Sequence, residues 1–70
     1  MNNRCLELRQ AKGLSQIELA VYAGVSMSPV ASLEKGKIPT LALLIKIADA
    51  LGVSAAELYP RLAQGPAKEA

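Results

Sequence analysis

Residues 16–35 read QIELAVYAGVSMSPVASLEK, and most of what can be inferred about the chain begins with them. Ala20 is small enough to let a second helix approach closely. Gly24 lies in a short link, where a tight turn requires positive φ. The apolar residues that two crossing helices would share in one core are Leu19, Ala23, Val25, Val30 and Leu33. The stretch therefore predicts two helices joined by a glycine turn, with a buried seam on one side.

Glycines, prolines and capping residues divide the rest of the chain into further short helices. Ser15 with Glu18, and Ser54 with Glu57, have the spacing of capping boxes. The predicted helices cover about residues 3–12, 15–23, 26–35, 40–51 and 54–59. In the fourth, one face carries Leu41, Leu44, Ile45, Ala48 and Leu51. The short links between helices predict an all-α domain over residues 1–63, and residues 64–70 are expected to be a disordered tail.

The composition of the chain excludes several classes of protein. It has 70 residues, a net charge of +2, 51% hydrophobic residues, no His and a single Cys. Without His, and with one Cys, a Cys/His zinc cluster and an internal disulfide are excluded, as is His-based catalysis. No apolar run approaches the ~20 residues of a membrane span, and the first residues lack the apolar core of a signal peptide. We expect a cytoplasmic binding protein without enzymatic activity, metal, cofactor or membrane partner.

The ordered motifs of the chain resemble those of a known family. Two helices joined by a short glycine turn have the geometry of a helix-turn-helix, here at about residues 15–35. Between Leu6 and Leu58 the sequence resembles the XRE/Cro and phage-repressor type of helix-turn-helix regulators. The matching segments are Leu14-Ser15-Gln16, Leu19-Ala20, Gly24-Val25-Ser26, Leu33-Glu34-Lys35-Gly36-Lys37, Pro39-Thr40-Leu41 and Ala50-Leu51-Gly52-Val53-Ser54. The resemblance implies a compact five-helix, lambda-repressor-like DNA-binding domain.

The resemblance also implies roles for individual residues. Arg9 and Glu34 match an internal salt bridge between the first and third helices, although two solvated charges are the alternative. The third helix would enter the major groove of double-stranded DNA. The DNA-binding positions implied by the match are Gln16, Ser26, Met27, Ser28, Ser32, Lys35 and Lys37. Gln16 could also be a plain surface residue, and the two lysines could simply complement a helix C-terminus.

Two features of the third helix depart from the usual chemistry of base reading. Bidentate readout uses Arg or Lys on guanine and Asn or Gln on adenine, and residues 26–33 contain none of these. Met27 can pack only on a thymine methyl or on sugar. Pro29 leaves two starts open. Either Ser28 caps the helix with Pro29 first inside it, or the helix begins at Met27 as the resemblance implies.

Apolar residues outside the shared core suggest a partner surface. Leu58, Tyr59 and Leu62 are the first candidates for a homodimer seam, although they could equally cover the base of the same core. Apolar residues also stand at four positions where regulators of this type usually have polar ones: Val21, Tyr22, Ile38 and Leu43. The resemblance implies a sequence-specific DNA-binding transcriptional regulator, and we expect a repressor that acts as a homodimer on a pseudo-palindromic operator. The alternative is a protein-interaction module, or an antitoxin-like partner, with weak base readout.

Overall fold

The computed structural model describes residues 3–61, which form five helices and no strand. The helices are α1 (Cys5–Ala11), α2 (Gln16–Ala23), α3 (Met27–Glu34), α4 (Leu41–Leu51) and α5 (Ala55–Leu58). The all-α, lambda-repressor-like class predicted from the sequence is confirmed. The predicted domain end at residue 63 and the predicted disordered tail, residues 64–70, lie outside the described residues.

Hydroxyl caps fix the starts of three helices. The Oγ of Ser15 accepts from the amide of Glu18 at 3.0 Å, and the carboxylate of Glu18 accepts from the amide of Ser15 at 2.8 Å. Ser54 and Glu57 form the same reciprocal pair, and at the start of α4 the Oγ1 of Thr40 accepts from the amide of Leu43 at 3.3 Å. These bonds satisfy amides that the helix itself leaves without a partner. Both predicted capping boxes are confirmed.

The start of α3 is different, because of Pro29. Ser26 is the N-cap, so Pro29 stands at the third helical position, where the other N-cap hydroxyls find an amide hydrogen. Proline has no N–H, and Ser26 accordingly makes no side-chain capping bond. The alternative start with Ser28 as the cap is therefore wrong. The early start keeps Met27 and Ser28 inside the helix.

The core is aliphatic and draws on every helix. Its buried members are Cys5, Leu19, Ala20, Val30, Leu33, Leu44, Ile47, Ala48, Leu51 and Leu58. On α4 the buried face is centred differently from the predicted one. Ile47 is fully buried, whereas Leu41 and Ile45 are 55% and 44% exposed. The apolar residues of α4 cover more than one face of the helix. Packing against α2 and α5 therefore selects which of them face inward.

Asn3 ties the beginning of the described chain to α3. It is 5% exposed, and its Nδ2 donates to the carbonyl of Leu33 at 2.8 Å. Its Oδ1 accepts from the amide of Cys5 at 3.0 Å, which satisfies the start of α1. The amide of Arg4 donates to the carbonyl of Leu58 at 2.8 Å. These bonds fix the last turn of α3 against α1 and α5.

Candidate nucleic-acid interface

The outer face of α3 is set by the residues that face inward. Val30 and Leu33 are fully buried, so the helical period turns the opposite side of α3 to solvent. Six of the seven predicted DNA-binding residues lie on or beside that side, and the seventh, Gln16, is on α2. Ser26, Met27, Ser28, Lys35 and Lys37 are exposed, and Ser32 is half-buried. The structure thus brings together on one surface six of the seven residues that were selected from the sequence.

The C-terminal end of α3 carries the two lysines. Gly36 has a φ of +98°, which ends the helix in a left-handed turn. The amide of Lys37 donates to the carbonyl of Ser32, and that of Gly36 to the carbonyl of Leu33, both at 2.9 Å. These bonds fix the backbone of the turn. Lys35 and Lys37 therefore extend into solvent from a rigid base.

Behind this end of α3, the carboxylate of Glu34 joins three helices. Arg9 donates to Glu34 through Nε at 2.6 Å and through Nη2 at 3.2 Å. The Nε2 of Gln16 donates to Glu34 Oε1 at 2.9 Å. The thiol of Cys5 lies 3.6 Å from Oε2. The structure thus contains the ion pair expected between Arg9 and Glu34.

Gln16 and Cys5 were not expected at this carboxylate. Gln16 is the first residue of α2, and its bond to Glu34 places the N-terminus of α2 beside the C-terminus of α3. Neither contact has a signal in the sequence, because both depend on how α1 and α2 pack against α3. Spacing along a single helix does not report such packing. Gln16 is half-buried, and only one of the two hydrogens on its Nε2 is needed for Glu34.

The donors around Glu34 determine its ionisation. Burial by itself raises the pKa of a carboxyl group, but the hydrogen bonds from Arg9 and Gln16 outweigh burial here and hold the pKa of Glu34 below its usual range. The bond to Glu34 raises the pKa of Arg9. Burial, and then the nearby charge of Glu34, raise the pKa of Cys5 to about 12, so this thiol remains protonated and unreactive near neutral pH.

The lowered pKa of Glu34 predicts a pH-dependent stability. Its contribution is fully present above the carboxyl pKa of the unfolded chain, about 4.3, and is lost as the pH falls through the lower folded value. We expect the stability difference between the unmodified chain and Glu34→Gln to be constant near neutral pH and to shrink in acid. Urea unfolding at several pH values measures this difference. A difference that does not change with pH would contradict the prediction.

The residues predicted for a dimer seam are only partly available. Leu58 is fully buried in the core of one chain, so its side chain cannot also face a partner, and this expectation is corrected. The core needs Leu58 to close its base, as the alternative held. Tyr59 is half-buried against the core, and Leu62 lies outside the described residues. Of the apolar replacements, Val21, Tyr22 and Ile38 are exposed, and Leu43 is half-buried.

The described residues hold little that would suit another kind of site. Within residues 3–61 no group of three metal-ligating side chains comes together. An open, shallow depression is lined by Ala11, Lys12, Leu14, Tyr22 and Ala50. Among the helices of this part of the chain, none is long and apolar enough to cross a membrane.

Comparisons with known proteins agree with this geometry. A family model described as "Helix-turn-helix" matches residues 6–58. An HTH-type transcriptional regulator of Sinorhizobium fredii, y4dJ, is 46% identical over 52 residues, which cover 73% of this chain and 68% of the relative. YgzD, an HTH-type transcriptional regulator of Bacillus subtilis, is 37% identical over 60 residues, covering 84% of this chain and 91% of YgzD.

The fold is also similar to that of a solved structure. That structure is the restriction-modification controller protein C.AhdI from Aeromonas hydrophila, with a TM-score of 0.73 and 42% sequence identity. The match covers 80% of this chain and 86% of the controller protein. The family model, at residues 6–58, covers all five helices except for Cys5 at the start of α1.

Proposed function

Because the chain belongs to the XRE-type helix-turn-helix family, we propose that it is a sequence-specific DNA-binding transcriptional regulator. It represses transcription, and it acts in the cytoplasm as a homodimer on a pseudo-palindromic operator. It binds rather than catalyses. The observation that carries this proposal is the outer face of α3, which is turned to solvent, carries the hydroxyls of Ser28 and Ser32, and is bordered by Lys35 and Lys37.

The shape of α3 supports its insertion into DNA. The helix has eight residues, so it is about 12 Å long. The major groove of B-DNA admits an α-helix, and recognition helices present their N-terminal residues to base edges. In α3 these residues are Met27 and Ser28, at the end opposite to the lysines. The N-terminal part of α3 would face the bases.

The other end of α3 supports contact with phosphate. The bond between Gln16 and Glu34 brings the start of α2 to Glu34, the residue that precedes Lys35. The first amides of a helix and its positive dipole end attract anions, and lysines provide full positive charges. The side-chain Nε2 of Gln16 keeps a second hydrogen, which can donate to a phosphate oxygen. One phosphate-binding group is thus formed by Gln16, Lys35 and Lys37, although the net charge of the chain is only +2.

The proposed dimer is supported by exposed apolar surface. A domain of this size has a marginal core, which a second copy can supplement. Leu41 and Ile45 lie one turn apart on α4 and are 55% and 44% exposed. Sedimentation equilibrium is expected to give twice 7.3 kDa at micromolar concentration. A monomer at high concentration would count against the homodimer.

Selection of binding sites from random duplex DNA tests the proposed function. We expect the purified chain to enrich a palindrome whose half-sites are centred about 34 Å apart, one turn of the duplex. The spacing follows from two copies of α3 entering successive major grooves. Binding that stays weak and independent of sequence at low salt would refute a sequence-specific regulator.

A protein-interaction module, or an antitoxin-like partner, is the second candidate. It is favoured by the outer side of α2, where Ile17, Val21 and Tyr22 are 62%, 72% and 70% exposed. Exposed apolar groups that lie together mark interaction surfaces. This candidate predicts that the selection experiment fails while a protein partner is retained.

If the chain is a regulator, its biological setting could be that of a prophage repressor or of a restriction-modification controller. The similarity to C.AhdI favours the restriction-modification controller.

A further inference from the structure

The outer face of α3 consists of two short rows with different chemistry. Residues four apart lie next to each other on a helix. Met27 and Ala31 form an apolar row, in which Met27 is 43% exposed and Ala31 is half-buried. Ser28 and Ser32 form a hydroxyl row beside it. We call these four residues the reading face.

The start of the helix makes the apolar row possible. Because Ser26 is the N-cap, Met27 is the first residue of α3 and stands one turn before Ala31. A start at Pro29 would have placed Met27 outside the helix and broken the row. The Cβ atoms of neighbours in a row are about 5–6 Å apart. Since base pairs are stacked about 3.4 Å apart, the row spans one or two base-pair steps.

The major groove offers one apolar group to such a row. Of the four bases, thymine alone carries a C5-methyl group there, next to its O4 acceptor. A methionine and an alanine cannot bond to guanine or adenine, but they can cover a methyl group and remove it from water. The serine hydroxyls can donate to O4 or to a purine N7, and they can also accept from an amino group.

We propose that Met27 and Ala31 read the C5-methyl groups of thymines, so that thymine at one or two neighbouring positions specifies each half-site. This inference rests on the proposed function, because it assumes that α3 enters the major groove. The row uses contact area in place of bidentate hydrogen bonds. Ser28 and Ser32 adapt to the polar edges of the same base pairs and add little discrimination by themselves.

Replacing thymine by uracil tests the proposal, since uracil lacks only the methyl group. Sites selected from unmethylated random duplex DNA are resynthesised with one thymine at a time changed to uracil. We expect one or two positions in each half-site to lose about threefold to tenfold in affinity. Because such sites contain no 5-methylcytosine, the sensitive methyl group belongs to thymine.

The variant Met27→Ala tests whether Met27 is the residue that contacts the thymine methyl group. We expect it to weaken binding to the thymine site and to abolish the effect of uracil at one position. Val21→Ala, which shortens a more exposed apolar residue on α2, is the control and should leave the uracil effect unchanged. Circular dichroism shows whether each variant is folded.

The possible outcomes distinguish a failure of methyl reading from a failure of the proposed function. A selected palindrome that is insensitive to uracil overturns methyl reading but leaves the proposed regulator intact. A uracil effect that persists in Met27→Ala overturns the role of Met27. If no site is enriched, the proposed function and this inference both fail.

Discussion

Replacing Arg9 by methionine is expected to lower the free energy of unfolding by about 3 kcal/mol, within the range seen when one partner of a buried ion pair is removed. Methionine keeps much of the volume but donates no hydrogen bonds. Glu34, whose side chain is 8% exposed, would lose both donors of the guanidinium. The carbonyl of Leu14 would lose its 2.7 Å bond to Nη1 as well. Urea unfolding followed by circular dichroism measures the loss.

A second arginine provides a matched control. Arg4 pairs with Glu7 at 3.0 Å, but these side chains are 45% and 62% exposed. Exposed pairs contribute about 0–1 kcal/mol, so Arg4→Met should have a small effect. Combining Arg9→Met with Glu34→Met should recover part of the loss, because no unpaired charge is then buried. Equal losses for Arg9→Met and Arg4→Met would contradict the account of Glu34 as a buried junction.

Replacing Lys35 and Lys37 together by alanine is expected to weaken DNA binding about tenfold to a hundredfold at moderate salt. The loss should be nearly the same on selected and unrelated sequences, since phosphate contacts carry no direct sequence information. The dependence of log affinity on log salt should become shallower by roughly one for each lysine. Fluorescence anisotropy titrations over a series of salt concentrations measure both quantities.

The control removes the same charge from other helices. Lys12, after α1, and Lys46, on α4, are both exposed. The double variant of Lys12 and Lys46 should change the salt dependence much less than the double variant of Lys35 and Lys37. If the two double variants have the same slope, the lysines act only through net charge. The proposed phosphate-binding end of α3 would then be wrong.

Local signals in the sequence predicted the elements of the fold well. The caps at Ser15 and Ser54 and the glycines at 24 and 52 act on the nearest few residues, so their effects can be worked out without tertiary structure. The start of α3 was the one boundary with two readings. Local preference placed Ser28 at the cap, but the helix begins at Met27, with Ser26 as its N-cap. Pro29 is tolerated in this first turn because no intrahelical amide hydrogen bond is lost there.

Contacts between distant parts of the chain were beyond the reach of the sequence. The bond from Asn3 to the carbonyl of Leu33 joins residues 30 apart, and no motif marks it. The contact of Gln16 with Glu34 likewise depends on the angle between α2 and α3. Leu58 shows the same limit, since an apolar residue in a short helix can close its own core or meet a partner. Only the packed fold shows that the core of one chain already uses it.

The central claim is that α3 reads DNA sequence, and the ratio of two affinities tests it most directly. The dissociation constant of the unmodified chain is measured on its selected duplex and on a scrambled duplex of the same composition, at one fixed salt concentration. The account predicts that the selected duplex binds at least about a thousandfold more tightly, the lower end of the range for specific regulators. Equal affinities would contradict it.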